Sequence, residues 1–471
     1  MEFKISSIKI ECDKGNILIP FSEHISFFYG NTSVGKTTLL NLINYAFGQS
    51  LIRTQAIENE VRCVCIDAYI CGQRMIIERN VPSNLITVKK DGGEMHFSAK
   101  NNQVGKNGFS DYLYQLAGIA SLDYIIGRKT ANGAKLSFAN YMWYSFLKQD
   151  ELDNCFFYLE DNNIKKYASN YVLRSIVFET TNSDLRKQKE LQSLKAKREE
   201  NRERLLTVKK LFSKSNIFSI NIGEEIAKKR IKIENLKKRL SILTYPDNLK
   251  KENVVEELLD ASRNIGRYEA EILYLHEFYK VKELQREYEN IDRDYSNKIL
   301  RLEKEEKNSS RSSDELLIGL QREFKKCLLE VGFPGLSEDD IVKIDKESMI
   351  PFIYSCNNEF RFTYLTLSSG GVRSIFKICY ALSIHILITK NNIKTLLPSF
   401  IMIDTPMKNI SERNDRYIYL KLYDYLYKLF SENGELCETQ LILVDKEESS
   451  VFANHGIVGK MFTRDHPLIP Q

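Results

Sequence analysis

Residues 30–37 read Gly30-Asn31-Thr32-Ser33-Val34-Gly35-Lys36-Thr37, the G-x-x-x-x-G-K-[ST] spacing of a phosphate-binding loop. Both flanks suit it. His24-Ile-Ser-Phe-Phe-Tyr29 is short, apolar and aromatic and predicts a buried strand. Thr38 to Phe47 carries Leu39, Leu42, Ile43 and Ala46 at helical spacing and predicts a helix. Strand, glycine turn and helix in that order aim backbone N–H groups and a positive helix end at one point, where phosphate oxygens are stabilised. Gly30, Asn31, Thr32, Ser33, Val34 and Gly35 supply the cradle, and Thr38 adjoins it. In such a loop Lys36 reaches the β- and γ-phosphates of ATP and the Thr37 hydroxyl ligates Mg²⁺.

The chain has 471 residues, 43% hydrophobic and 28% charged, enough for two or three compact domains. No apolar run approaches the ~20 residues of a membrane span. Met1-Glu-Phe-Lys-Ile5 is charged and strand-like, unlike a secretory leader. Nine cysteines occur without any C-x-x-C, and only Cys63 and Cys65 lie close, on one face of an alternating run. That usage speaks against the usual zinc sites and fits a reducing, cytoplasmic setting with no membrane. A net charge of +5 is too mild to identify a polyanionic partner, so the distribution of charge matters more.

Along the chain, residues 1–182 predict an N-terminal αβ lobe. Phe3–Glu11 and Asn16–Phe21 read as strands leading to the loop. Arg62–Tyr69, Arg74–Arg79 and Asn84–Lys89 alternate and are parted by turns such as Asp91-Gly92-Gly93, which predicts an antiparallel subsheet. Helical patterning returns at 110–120 and 138–147. Residues 311–471 predict a C-terminal lobe, with a helix over Asp314–Leu329 and short strands up to Tyr364.

Between the lobes, residues 183–310 predict an antiparallel coiled-coil hairpin. One seam runs Leu191, Leu194, Arg198, Asn201, Leu205, Val208, Phe212; a second runs Ile226, Lys229, Ile233, Leu236, Leu240, Leu243 in the same heptad phase. Ser213–Gly223 suggests a joint between them. Tyr245-Pro-Asp-Asn248 is a turn signal and marks the tip. Ser183–Thr244 and Leu249–Ser310 are 62 residues each, the equal arms a hairpin requires. Each spans roughly 90 Å if helical throughout. The step from Leu275 to Leu284 breaks the heptad and predicts a local unwinding. The ascending arm has 18 Lys/Arg against 8 Asp/Glu, and the descending arm 12 against 15. Cross-arm pairing absorbs part of this; the remainder is a basic stripe suited to a phosphate backbone.

A P-loop ATPase needs a second acidic group for Mg²⁺ at the end of an apolar strand. Ser399-Phe-Ile-Met-Ile-Asp404 supplies one, which places Asp404 beside Thr37. Upstream, Leu367-Ser-Ser-Gly-Gly-Val-Arg-Ser374 precedes an apolar helix, with Ser369, Gly370 and Gly371 at its positive end.

In this order of motifs the sequence resembles an ABC-type ATPase head of the structural-maintenance-of-chromosomes class, which includes RecF- and RecN-type repair ATPases. The resemblance implies an α/β head built from N- and C-terminal lobes, with the hairpin as an insertion. It implies that Ser369, Gly370 and Gly371 contact the γ-phosphate of ATP held by a second head, so that the protein forms a homodimer through its heads. It implies that Gln149, in Ser145-Phe-Leu-Lys-Gln149-Asp-Glu-Leu152, senses Mg²⁺ and the attacking water. It also implies catalytic roles for Lys36, Asp404 and Gln149. At the position of the family's switch histidine, Gln440-Leu-Ile-Leu-Val-Asp445 offers Asp445 or Lys446. Thr405 stands where the family commonly has a water-orienting Glu, which implies slow hydrolysis or another acid such as Glu412.

Asp404-Thr-Pro406 with Met407–Ile410 also resembles compact bacterial phage-defence ATPases of the Lamassu or Septu kind. That implies a separate nuclease or effector as partner. Two functions follow: an ATPase that couples ATP-Mg²⁺ to DNA in defence or repair, or an ATP-binding scaffold and sensor that hydrolyses little.

Overall fold

The computed structural model describes residues 1–99, 108–125, 133–160, 164–178, 182–213, 221–244, 253–309, 311–406 and 413–469. The chain divides into two compact units, one made of Met1–Arg186 with Lys307–Gln471 and one of Lys187–Glu306.

The first unit is α/β. Its central sheet is parallel, in the order Phe146–Leu147, Phe400–Asp404, Gln440–Asp445, Ile25–Gly30, Lys460–Phe462. Strands from both ends of the chain are interleaved in it, so neither end can complete the sheet alone. A buried amide fastens the two: Gln440 Oε1 accepts from the Ile5 N–H at 3.0 Å, and its Nε2 donates to the carbonyls of Ile5 at 2.9 Å and Ser22 at 2.6 Å. An amide buried to this degree is stable only because both its ends are satisfied.

The second sheet is antiparallel, in the order Gly15–Pro20, Phe3–Cys12, Val61–Ile70, Gln73–Asn80, Leu85–Lys90, Gly93–Ser98. Alternate side chains such as Ile8, Ile10, Ile66, Ile77 and Val88 are fully buried, which is the one-sided packing that a period of two produces. Residues 138–147 are helix only over Phe138–Met142; the chain then turns at Trp143 and enters the short strand Phe146–Leu147. Pairing of Phe146 with Met402 and Leu147 with Ile403 overrides the helical spacing there.

Gly370–Asn391 is the helix at the heart of this unit. By length and composition alone it could cross a membrane, although Arg373, Lys377 and Lys390 interrupt its apolar run. Here 83% of its most apolar stretch is buried inside the protein. Phe324 of the neighbouring helix Arg311–Glu330 packs edge-on against Phe376 and Tyr380 at 5.0 and 5.2 Å. His385 on the same helix meets the Ser145 hydroxyl through Nε2 at 3.3 Å, and burial pulls its pKa down to about 3. The folded state therefore favours the neutral ring. Its contribution is complete above pH 6.5 and declines as pH falls towards 3, by roughly a factor of ten per pH unit. We expect His385→Gln to flatten the acid limb of stability, read as the wild-type-minus-variant difference in denaturant midpoints between pH 6.5 and 4.

The second unit is helical. Asn182–Ser213 and Ile222–Leu243 lead out, and Val254–Ser309 returns. Partners run in opposite directions: Arg198 with Asp292, Lys229 with Glu271, Arg239 with Glu257. Leu194, Asn201, Ile226 and Ile233 of the two seams are buried. The Asn201 side chain donates to the Tyr288 carbonyl at 2.9 Å, a polar contact in an apolar seam that fixes register. Lys195, Arg202, Lys209 and Lys237 also meet acids of the returning helix, so much of the ascending excess is neutralised within this unit. Such pairs are substantially exposed and contribute ~0.2–1 kcal/mol each, so they select register more than they add strength.

Across the heptad break between Leu275 and Leu284, Val254–Ser309 runs as one continuous helix. Phe278 fills the skipped position by packing with Ile222, Ile226 and Leu275, and Glu277 supports Lys280 at 2.7 Å. The expected tip at 245–248 and most of the expected joint lie outside the described residues.

Candidate functional site

Parallel strands bring their carboxyl ends to one edge, where α/β sheets place their ligands. Here that edge collects Gly30, Asp404, Asp445 and, just beyond Leu147, Gln149. The chain leaves Ile25–Gly30 through the loop and enters helix Lys36–Ala46 directly. Gly30 and Gly35 have φ of +149° and +99°, conformations that side chains resist, and Ser33 is also left-handed at +67°. Asn31, Thr32, Ser33 and Thr37 are exposed, Thr38 is half-buried and Val34 is buried. The loop is thus rooted by Val34 and open to a ligand along its other side.

Lys36 is buried and folds back, donating to the carbonyls of Gly30 and Asn31 at 2.7 Å each. Burial lowers its pKa, while the charges of Asp404 and Asp445 raise it. The Thr37 hydroxyl donates to Asp404 Oδ1 at 3.2 Å, and the Thr405 hydroxyl donates to the same oxygen at 2.9 Å. Asp404 Oδ2 is buried with no hydrogen-bond partner among the described residues. Burial pushes Asp404 above the ordinary carboxylate range, and the two hydroxyls pull it back. An unpaired buried carboxylate oxygen beside a threonine hydroxyl is costly by itself and is the donor set a hard divalent cation uses, so these residues fit Mg²⁺.

Gln149 opens the 3₁₀ turn Gln149–Glu151 and is half-buried. It makes no hydrogen bond to Thr37 or Asp404 among the described residues; its neighbour Asp150 is close enough for its charge to raise Asp404. Ser369, Gly370 and Gly371 cap the helix Gly370–Asn391 and have no hydrogen bond to residues 30–37 among the described residues. Residues flanking that turn hold the segment after Gln149. Lys377 donates to the Glu151 carbonyl at 2.7 Å, the Tyr364 hydroxyl to Leu152 at 3.1 Å and Arg373 to Asp153 at 3.4 Å. Lys377 is fully buried with no carboxylate in hydrogen-bond contact among the described residues, and its pKa is lowered to about 8 by burial. Within one chain, then, the structure joins Thr37 to Asp404, sets Lys36 within reach of the charge of Asp404, brings Gln149 to the same edge, and shows no hydrogen bond from the Ser-Gly-Gly turn to residues 30–37 among the described residues. Glu412 and Met407–Ile410 lie outside the described residues.

Several residues at this edge carry no motif. Thr405, at φ +51°, supplies a buried donor to Asp404. Asp445 is buried; burial raises its pKa to about 6, against hydrogen bonds from the Tyr423 hydroxyl and the Lys446 N–H. The segment after Lys460–Phe462 covers the back of the loop, with the Leu468 N–H donating to the Val34 carbonyl at 2.9 Å. A side-chain carbon on Gly35 would stand 2.5 Å from Leu468 Cβ. No local pattern announces a contact between positions 35 and 468. Tyr419 and Tyr423 do share one helix face in the sequence, but without an indication of what they meet.

No family model matches the chain, and no curated protein does. Among solved structures it is similar to the Smc head domain of Pyrococcus furiosus with an extended coiled coil, crystallised with the C-terminal domain of ScpA. That match has 13% identity, a TM-score of 0.42, and covers 96% of this chain and 92% of that one. A Pyrococcus yayanosii Smc head with a coiled coil and joint matches at 13% identity and a TM-score of 0.42, covering 96% and 93%. The ATP-bound recombination mediator RecF matches at 11% identity and a TM-score of 0.37, covering 96% and 94%.

Proposed function

We propose that this chain is a P-loop ATPase of the SMC and RecF kind, in which the loop at 30–38 binds ATP-Mg²⁺. The observation that carries this is the pairing of Thr37 with Asp404 at 3.2 Å beside the unpartnered Asp404 Oδ2, directly at the mouth of the loop. In this reading the exposed loop amides and Lys36 take the phosphates, and Thr37 and Asp404 hold the cation. The bound cation neutralises charge on the phosphate oxygens. Gln149 orients water from the edge of the same sheet. Ser369, Gly370 and Gly371, apart from the loop of their own chain, serve the γ-phosphate in a second copy, so the working form is a dimer of heads. Residues 183–310 act as an antiparallel coiled-coil arm. DNA is the partner the remaining basic character suits, and a separate nuclease or effector acts downstream in phage defence or repair.

A second reading is favoured by Thr405. With a hydroxyl bound to Asp404 where a water-orienting acid is common, the protein serves as an ATP-gated sensor or scaffold. The rate separates the two: phosphate release above the background of Asp404→Asn supports the hydrolase, and ATP binding without release supports the sensor. The test common to both is the Mg²⁺ dependence of ATP affinity. Wild type should gain roughly tenfold or more on adding Mg²⁺, and Asp404→Asn should gain little. Equal gains in the two would remove Asp404 from the cation site and the reading with it.

A further inference from the structure

Helix Arg413–Phe430 touches both halves of the proposed machinery through one face. Tyr423 donates its hydroxyl to the Asp445 carboxylate, and Tyr419, one turn earlier, donates to the Gly371 carbonyl at 3.2 Å. Both rings are buried, at 3% and 1% exposure, so neither hydroxyl has water as an alternative. Positions four apart lie on one helix face and move together. Asp445 sits at the phosphate edge, opposite Tyr29 in the ladder, and its charge is felt by Lys36.

We infer that Tyr423 and Tyr419 are positioning residues that tie the Asp445 carboxylate to the Ser-Gly-Gly turn, so that a nucleoside triphosphate at the loop is felt at Gly371. This rests on the reading above. A γ-phosphate brings negative charge towards a buried carboxylate already held by two donors, and like charges at that range displace one another. Movement of Asp445 pulls on Tyr423. A rigid helix in a close-packed core passes the shift to Tyr419 and so to Gly371. A diphosphate lacks that charge, so the link distinguishes ATP from ADP.

The test uses the full chain with Tyr423→Phe and Tyr419→Phe, which keep the ring and remove the donor. Affinity for fluorescent ATP and ADP analogues is measured by titration, and self-association in each nucleotide by sedimentation. We expect ATP affinity within roughly twofold of wild type, ATP-induced self-association weakened roughly tenfold or more, and no change in ADP. The double variant should match the singles, because both cut one link. A general loss of stability would not separate ATP from ADP in this way. Self-association in ATP equal to wild type in both single variants overturns the inference alone. A wild type that binds no ATP overturns the functional reading and this inference together. Should Tyr423→Phe fail to fold, Asp445→Asn keeps an acceptor for Tyr423 and removes the charge. It should narrow the ATP-to-ADP difference in self-association roughly tenfold, and an unchanged difference overturns the inference.

Discussion

Lys36→Ala should lose ATP affinity by roughly a hundredfold or more, since two charge-assisted hydrogen bonds at ~1.5–3 kcal/mol each vanish together. In the structure the ammonium already lies at the loop mouth, holding the carbonyls of Gly30 and Asn31 at 2.7 Å. The same contacts shape the loop, so the substitution also leaves two carbonyls without their donor. Circular dichroism of the variant checks that the fold persists. Lys36→Arg offers a sharper comparison. It keeps the charge, but its planar fork cannot occupy the pocket of a point charge, so affinity should fall nearly as far. Calorimetric titration with ATP-Mg²⁺ reads both; wild-type affinity in Lys36→Ala would contradict the assignment of the loop.

Gly30→Ala should be strongly damaging to stability. The residue has φ +149°, and a Cβ there would stand 2.1 Å from the Phe462 carbonyl oxygen. The backbone conformation alone costs ~1–3 kcal/mol for a residue with a side chain. The clash adds to it, because Lys460–Phe462 is a paired strand that must shift away from Ile25–Gly30. We expect the apparent melting temperature of the α/β unit to fall by roughly 5–10 °C. Gly15→Ala is the control: φ is +132°, yet nothing lies within 4 Å of the added carbon, so only the conformational part is felt. Equal shifts in the two variants would show that the strand at Phe462 does not press on the loop.

These two glycines also show what the sequence makes legible. The strand before residues 30–37 and the helix after them follow from short-range spacing, and the structure has both elements there. Asp404 is found the same way, as the polar end of an apolar run. The antiparallel sheet is legible because its alternation is local and one-sided. What a pattern cannot supply is the identity of distant neighbours. That Gly30 needs its shape because of Phe462, and Gly35 because of Leu468, depends on contacts more than 430 positions apart. Thr405 reads as a missing acid in a motif, and its hydrogen bond to Asp404 is visible only in the structure. The heptad break at 275–284 is of a related kind: the sequence shows a skipped position, and only the structure shows Phe278 packed against Ile222, Ile226 and Leu275 there. The apolar helix Gly370–Asn391 is a core element whose composition alone would suit a bilayer.

The most direct test of the account is steady-state phosphate release from ATP by the purified wild type and Lys36→Ala, with and without linear duplex DNA. Mg²⁺-dependent release is expected from the wild type, at a higher rate with DNA, and background from the variant under both conditions. Equal release by the two proteins would place the activity elsewhere and contradict it.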